Sequence, residues 1–305
     1  MVLKNPFGGS DDTEPDYAAF WDATEVLSRF HRAAHENPYA LLAFTLANIA
    51  THVPVGSLSP IGDPMNLTVG VMGRASGAGF TTALRESERM VAPKGYKLHW
   101  WDEVPQYLYE ARTHGHVFAT IDTPGVSVKD PMKGSSDTPE AALLLSLMDG
   151  GALPECAEGS YRFVLRESVY FRKAGMWMFA PEQIHAGLPH RYLYAPLWGP
   201  RGEALRGSPT IHLPHDAEWL EGSAPVPALA SEEAKDVERG HLSFADESLL
   251  RTKFKVSVLL AALHSRVEPT DQDWELSEVI ARLTQRLSRK NFDHAAALRD
   301  KKGTD

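Results

Sequence analysis

Apolar positions along this chain change period several times, and each change marks an element. Phe20, Leu27, Phe30 and Ala34 recur at helical spacing until Asn37-Pro38 interrupts them. Two helices are therefore predicted within residues 17–52, the second opened by Pro38 in its first turn. Short unbroken apolar runs follow at Leu67–Met72, Val117–Ile121, Met176–Phe179 and Arg191–Pro196. Runs of this kind suit strands buried on both faces, so one mainly parallel sheet is expected. Phe163–Leu165 and Tyr170–Phe171 read as two strands of a hairpin. Helices are expected from the glycine turn after Met72 to Met90 and over Glu140–Met148, and His99–Glu110 is aromatic and amphipathic. Ser248–Leu263 carries a strong helical stripe, and Thr270 is the expected N-cap of a last helix with Asp271 and Asp273 in its first turn.

This pattern divides the chain into a lead-in over 1–16, a helical segment over 17–60 and an α/β core over 61–198. An extended connection over 199–230, rich in Pro and Gly, leads to a helical part over 231–305. Within the core, 126–138 reads as an exposed loop.

Composition narrows the class. The 305 residues are 43% hydrophobic and 23% charged, as in globular proteins, with a net charge of -9. That balance argues against a general nucleic-acid surface. The single cysteine, Cys156, suits a reducing compartment, and no apolar run reaches the length of a membrane span. A cytoplasmic protein without membrane partners is the expectation. Charge is uneven: residues 231–247 are acidic, while residues 281–305 hold seven Lys/Arg against three Asp. That tail is either a solvated helix end or a basic strip for nucleic acid or a neighbouring subunit. The 13 histidines are scattered, without metal-ligand spacing.

The stretch with most chemical content is VGVMGRASGAGFTTAL, residues 69–84, read as a strand, a glycine-rich turn and the start of a helix. A phosphate-binding loop has this frame: small residues let backbone N–H groups wrap phosphate oxygens, a Lys meets the β/γ-phosphates, and a Ser or Thr hydroxyl binds Mg²⁺. Gly73, Arg74, Ser76, Gly77, Ala78, Gly79, Thr81 and Thr82 are the candidate nucleotide-binding residues. Phe80 stands where the Lys belongs, and Gly73 lies one residue early for the strict spacing. A plain structural turn accounts for the same glycines. Asp122, at the end of the Val117–Ile121 run, is placed to hold Mg²⁺ together with Thr81, or simply to cap the Pro-Gly turn that follows.

Three blocks in order resemble the helicase-like P-loop ATPases of actinobacterial phages and plasmids, proteins often linked to primase-polymerase modules. They are NLTVGVMGRASGAGFTTA from Asn66, FAPEQIHAGLPHRYLYAPL from Phe179, and LLRTKFKVSVLLAALHSRVEPTDQDWELSEVI from Leu249. The resemblance implies a RecA-like P-loop core with an N-terminal helical pair and a C-terminal helical lid. It implies ATP and Mg²⁺ as cofactors, a ring of subunits, and helicase, primase or DNA as partners. It also implies that Arg191 acts as an arginine finger or phosphate sensor; a surface ion pair, for instance with Glu182, is the simpler role. The departures are as telling: the family's loop Lys falls on Phe80 and a later-strand Gln falls on Ala180. Such losses remove positioned charge, on which phosphoryl transfer depends. A pseudo-ATPase that works by binding partners is the leading expectation. Its rivals are a working ATPase that recruits Arg74 or a neighbour's Arg, and a host-interaction protein that keeps only the fold.

Overall fold

The computed structural model describes residues 17–33, 37–73, 79–98, 109, 111–113, 115–121, 139–153, 160–170, 179, 181–197 and 211–302. The chain opens with helices α1 (Tyr17–Asp22), α2 (Glu25–Ala33) and α3 (Pro38–Ala50). Thr24 splits the first predicted helix in two, its hydroxyl accepting from the Leu27 amide at 3.1 Å. Pro38 opens α3 in its first turn, as its fixed φ and missing N–H allow. Every residue of α3 is buried, so it has no polar face. It packs between the sheet and other helices.

After β1 (Ser57–Leu58) come β2 (Leu67–Gly73), α4 (Phe80–Met90), β3 (Tyr96–Leu98) and β4 (His116–Ile121). Next are α5 (Pro139–Asp149), β5 (Arg162–Tyr170), the short α6 (Pro181–His185) and β6 (Tyr192–Pro196). β7 (Gly222–Ser223), α7 (Ser231–Arg239), α8 (Phe244–Leu263) and α9 (Asp271–Lys302) complete the chain. Five strands form one all-parallel sheet in the order β3-β4-β5-β2-β6, while β1 and β7 make a separate two-stranded pair. The protein is thus α/β with a parallel sheet, as the apolar runs imply.

The expected hairpin is not formed. Residues 162–170 are a single strand, paired in parallel with β2 on one side and β4 on the other. Arg166 and Glu167 interrupt its apolar pattern and mimic a turn, yet both are buried, at 1% and 4% exposure. Their side chains leave opposite faces of the sheet, as alternation requires, and each finds partners there. β3 also forms where no strand was expected. Of the predicted run at 176–179, only Phe179 lies among the described residues; it is buried, with its ring 6.2 Å from that of Tyr194 and 5.3 Å from that of Phe292.

α8 and α9 share the apolar core of the sheet, while α7 packs with them in a second cluster that holds Ala234, Val237, Phe254 and Trp274. Ser243 caps α8 and Thr270 caps α9, with Asp273 accepting in return from the Thr270 amide at 2.8 Å. Thr284 of α9 lies against the open edge of β6: its hydroxyl accepts from the Tyr194 amide and donates to the Tyr194 carbonyl, both at 3.2 Å. A side chain thereby covers backbone groups that an edge strand leaves unpaired. Farther along α9, the Asn291 amide meets the Met72 sulfur at 2.6 Å, next to the residue that ends β2.

Candidate functional site

From β2 the chain crosses to the far edge at β3, returns through β4 and β5, then steps over β2 to β6. Connections therefore leave the C-terminal ends of β2 and β5 in opposite directions. In parallel α/β sheets such a reversal opens a crevice where ligands bind. β2 ends there at Gly73 and α4 begins at Phe80, so the described flanks of the glycine-rich stretch, Gly73 and Gly79, stand at the sheet's reversal point.

The flanks of this turn have specific reasons for their residues. Gly79 precedes α4 with φ of +93°, the left-handed region that only glycine enters without strain. A Cβ at Gly79 would come within 2.5 Å of the Asn37 amide nitrogen, so the start of α3 closes on the turn from below. Thr81 and Thr82 are exposed in the first turn of α4. Arg74, Ser76, Gly77 and Ala78 lie outside the described residues, as do Asp122 and Ala180. The strand leading to Asp122 ends at Ile121, in register with Glu167 and separated from β2 by β5.

Phe80 points away from the crevice. It is 2% exposed and packs edge-on against Phe44 of α3, ring centroids 5.2 Å apart and planes 85° apart. The position a phosphate-binding Lys would hold is an anchor of the α3–α4 contact. Of the groups that ATP and Mg²⁺ need, the described residues supply the Thr81 hydroxyl and the amides that open α4, while the residue at the head of α4 is a buried Phe and not a Lys. Among the described residues no group of three or more His, Cys, Asp or Glu is placed to hold a metal ion.

Arg191 is not part of this crevice within one subunit. It ends the 3₁₀ turn that precedes β6, at the N-terminal edge of the sheet, and its carbonyl accepts from Thr68 near the start of β2. Five residues of β2 separate Thr68 from Gly73, about 16 Å at the strand rise. Arg191 pairs with Asp149: two N–H groups donate to its carboxylate at 2.7 and 2.6 Å; the Glu182 side chain lies outside what is described. A third donates to the Ala186 carbonyl at 3.0 Å, and the guanidinium lies 5.5 Å from the centre of the Phe244 ring.

Sequence reasoning missed the groups that fix the walls of the crevice. Arg166 of β5 donates to Asn48 of α3 at 2.6 Å and to Thr120 of β4 at 2.5 Å, and pairs with Glu88 of α4 at 3.0 Å. Its guanidinium also lies 5.2 Å from the centre of the Phe118 ring. Burial lowers its pKa to about 10, against the pull of Glu88. Asn48 in turn donates to Ser87 and to the Val91 carbonyl at 3.2 and 3.0 Å. One buried cation so joins α3, α4, β4 and β5 beneath the glycine turn. The signal for it was present: a charge pair in the centre of RFVLRESVY.

No membrane-crossing helix occurs among the described residues. The chain matches no protein-family model, no curated protein and no solved structure.

Proposed function

We propose that this chain is a RecA-like, helicase-related P-loop protein of phage or mobile-element replication. It has kept the frame of its nucleotide site, lost the charge, and acts by binding a replication protein or DNA. The observation that carries the reading is Phe80: the residue at the head of α4 is built into the α3–α4 core instead of facing the turn. Three further features support it. The glycine-rich stretch follows an interior parallel strand and precedes a helix in the chain. An extra strand lies between that strand and the one leading to Asp122. The end of that strand, Gly73, also falls at the sheet's reversal point.

On this reading the loop amides and Thr81 retain at most a weak phosphate site, and partner binding needs no turnover. Arg191, on the opposite edge, would serve a ring only by reaching a neighbour's site. The purified protein should show no Mg²⁺-dependent ATP hydrolysis above a no-protein blank, alone or with single-stranded DNA. Robust Mg²⁺-dependent turnover overturns the reading; its loss in Arg74→Ala would then identify Arg74 as the substitute charge. Sedimentation with and without nucleotide and DNA tests assembly. A species that stays monomeric throughout removes the ring.

A further inference from the structure

At the sheet edge opposite the glycine turn, a half-enclosed cavity of about 260 Å³ opens where β2 and β6 begin, bounded by the end of α5 and the first half of α8. Its charges are largely spoken for. Arg191 is held by Asp149, and Arg251 is shared between Asp63 and Glu247.

Two cations are left over, Lys255 in the cavity lining and Arg162 outside it. Lys255 makes one hydrogen bond, to the Asn66 carbonyl at 3.1 Å, and no ion pair among the described residues. Arg162 is fully buried behind it and donates to the Val53, Pro54 and Ser57 carbonyls and to the Asn66 side chain, again with no carboxylate partner among the described residues. Burial lowers the Arg162 pKa to about 9, so the group stays charged at neutral pH. The pKa of Lys255 is lowered too, chiefly by burial, with Arg162 and Arg251 opposing its charge and Asp63 and Asp149 favouring it. Three cations and three carboxylates line the cavity, and Arg162 outside the lining adds a further positive charge that acts on Lys255, a group with donors to spare. An ammonium so placed gains most from an acceptor carrying one negative charge. The rim adds apolar surface: Met148 lines the cavity, and Phe244 stands 54% exposed at its mouth.

We propose that this cavity binds a small organic monocarboxylate, its carboxylate on Lys255 and its apolar or aromatic body against Met148 and Phe244. The size and the mixed polar and apolar lining suit a fragment-sized metabolite. This site is independent of the glycine turn, and its test does not depend on nucleotide binding.

Benzoate is the probe, with benzamide as its neutral isostere, titrated against the full chain by calorimetry at pH 7. Benzoate should bind with a dissociation constant of about 1 mM, near what so small a ligand can reach. Benzamide should bind at least about tenfold more weakly, since it lacks the charge. Lys255→Met should abolish the difference between the two, and Phe244→Ala, at an exposed position, should weaken benzoate severalfold. Should Lys255→Met fail to fold, as a melting curve would show, the benzamide comparison and Phe244→Ala still decide. No benzoate binding at about 20 mM, equal binding of benzamide, or an unchanged affinity in a folded Lys255→Met each overturns the proposal.

Discussion

The hydroxyl of Tyr192 donates to Glu167 at 2.8 Å across the width of β2, the strand that separates β6 from β5. Gly70 makes this reach available. It is paired with Glu167 on one side and Tyr194 on the other, and a Cβ there would lie 3.0 Å from the Tyr194 ring and 3.1 Å from the Tyr192 ring. The two tyrosine rings stack 5.6 Å apart over the space the glycine leaves.

Gly70→Ala should therefore destabilise the protein by about 1–3 kcal/mol, the usual cost of overpacking. The rings belong to a strand pinned by Thr284, so they have little room to give. Tyr192→Phe should cost about 1–3 kcal/mol by removing one donor from a buried carboxylate. Urea denaturation measures both. A Gly70→Ala variant as stable as wild type would show that the rings move aside freely.

Arg166→Met should lower stability by about 3–5 kcal/mol, because Asn48, Thr120 and Glu88 all lose a partner at once. Glu88→Gln should cost less, since Glu88 is 28% exposed and water takes over part of its solvation. In a double-mutant cycle the two losses should not add. Additive losses would mean that Arg166 is held by its hydrogen bonds alone.

Phe80→Lys should neither create an ATPase nor leave the fold unharmed. The new ammonium would replace a ring buried against Phe44, at a cost of several kcal/mol. Thermal melting and an ATP turnover assay read the two outcomes. A variant that melts like wild type and hydrolyses ATP would show that this side chain swings freely into the crevice.

His190 gives the protein an acid-sensitive element. Its pKa lies below the ordinary 6.5, first through burial and then through Arg191, with Asp246 opposing. The unfolded chain then takes up this proton more readily than the folded one. The contribution is complete above pH 6.5 and is lost as pH falls through the folded value. Melting temperatures should drop across that window, and His190→Gln should flatten the drop. An identical pH profile in the variant would assign the loss to other groups.

Local chemistry was enough to determine much of this molecule from the sequence alone. Leu67–Met72 and Val117–Ile121 are strands because unbroken apolar runs suit a sheet buried on both faces. Pro38 and Thr270 mark helix starts because the orphan amides of a first turn need a missing or satisfied N–H. A glycine just before α4 has a local reason too, since Gly79 stands in the left-handed region. Only the tertiary structure decided that Arg162–Tyr170 is one central strand, since Arg166 and Glu167 find hydrogen-bond partners in residues 25 to 118 positions away in the chain. It alone decided that Phe80 belongs to the core and that Arg191 faces Asp149 on the far edge. Whether a polar group is buried or an aromatic exposed depends on what the strand order brings beside it, and that order is set by long-range pairing that no window of sequence contains.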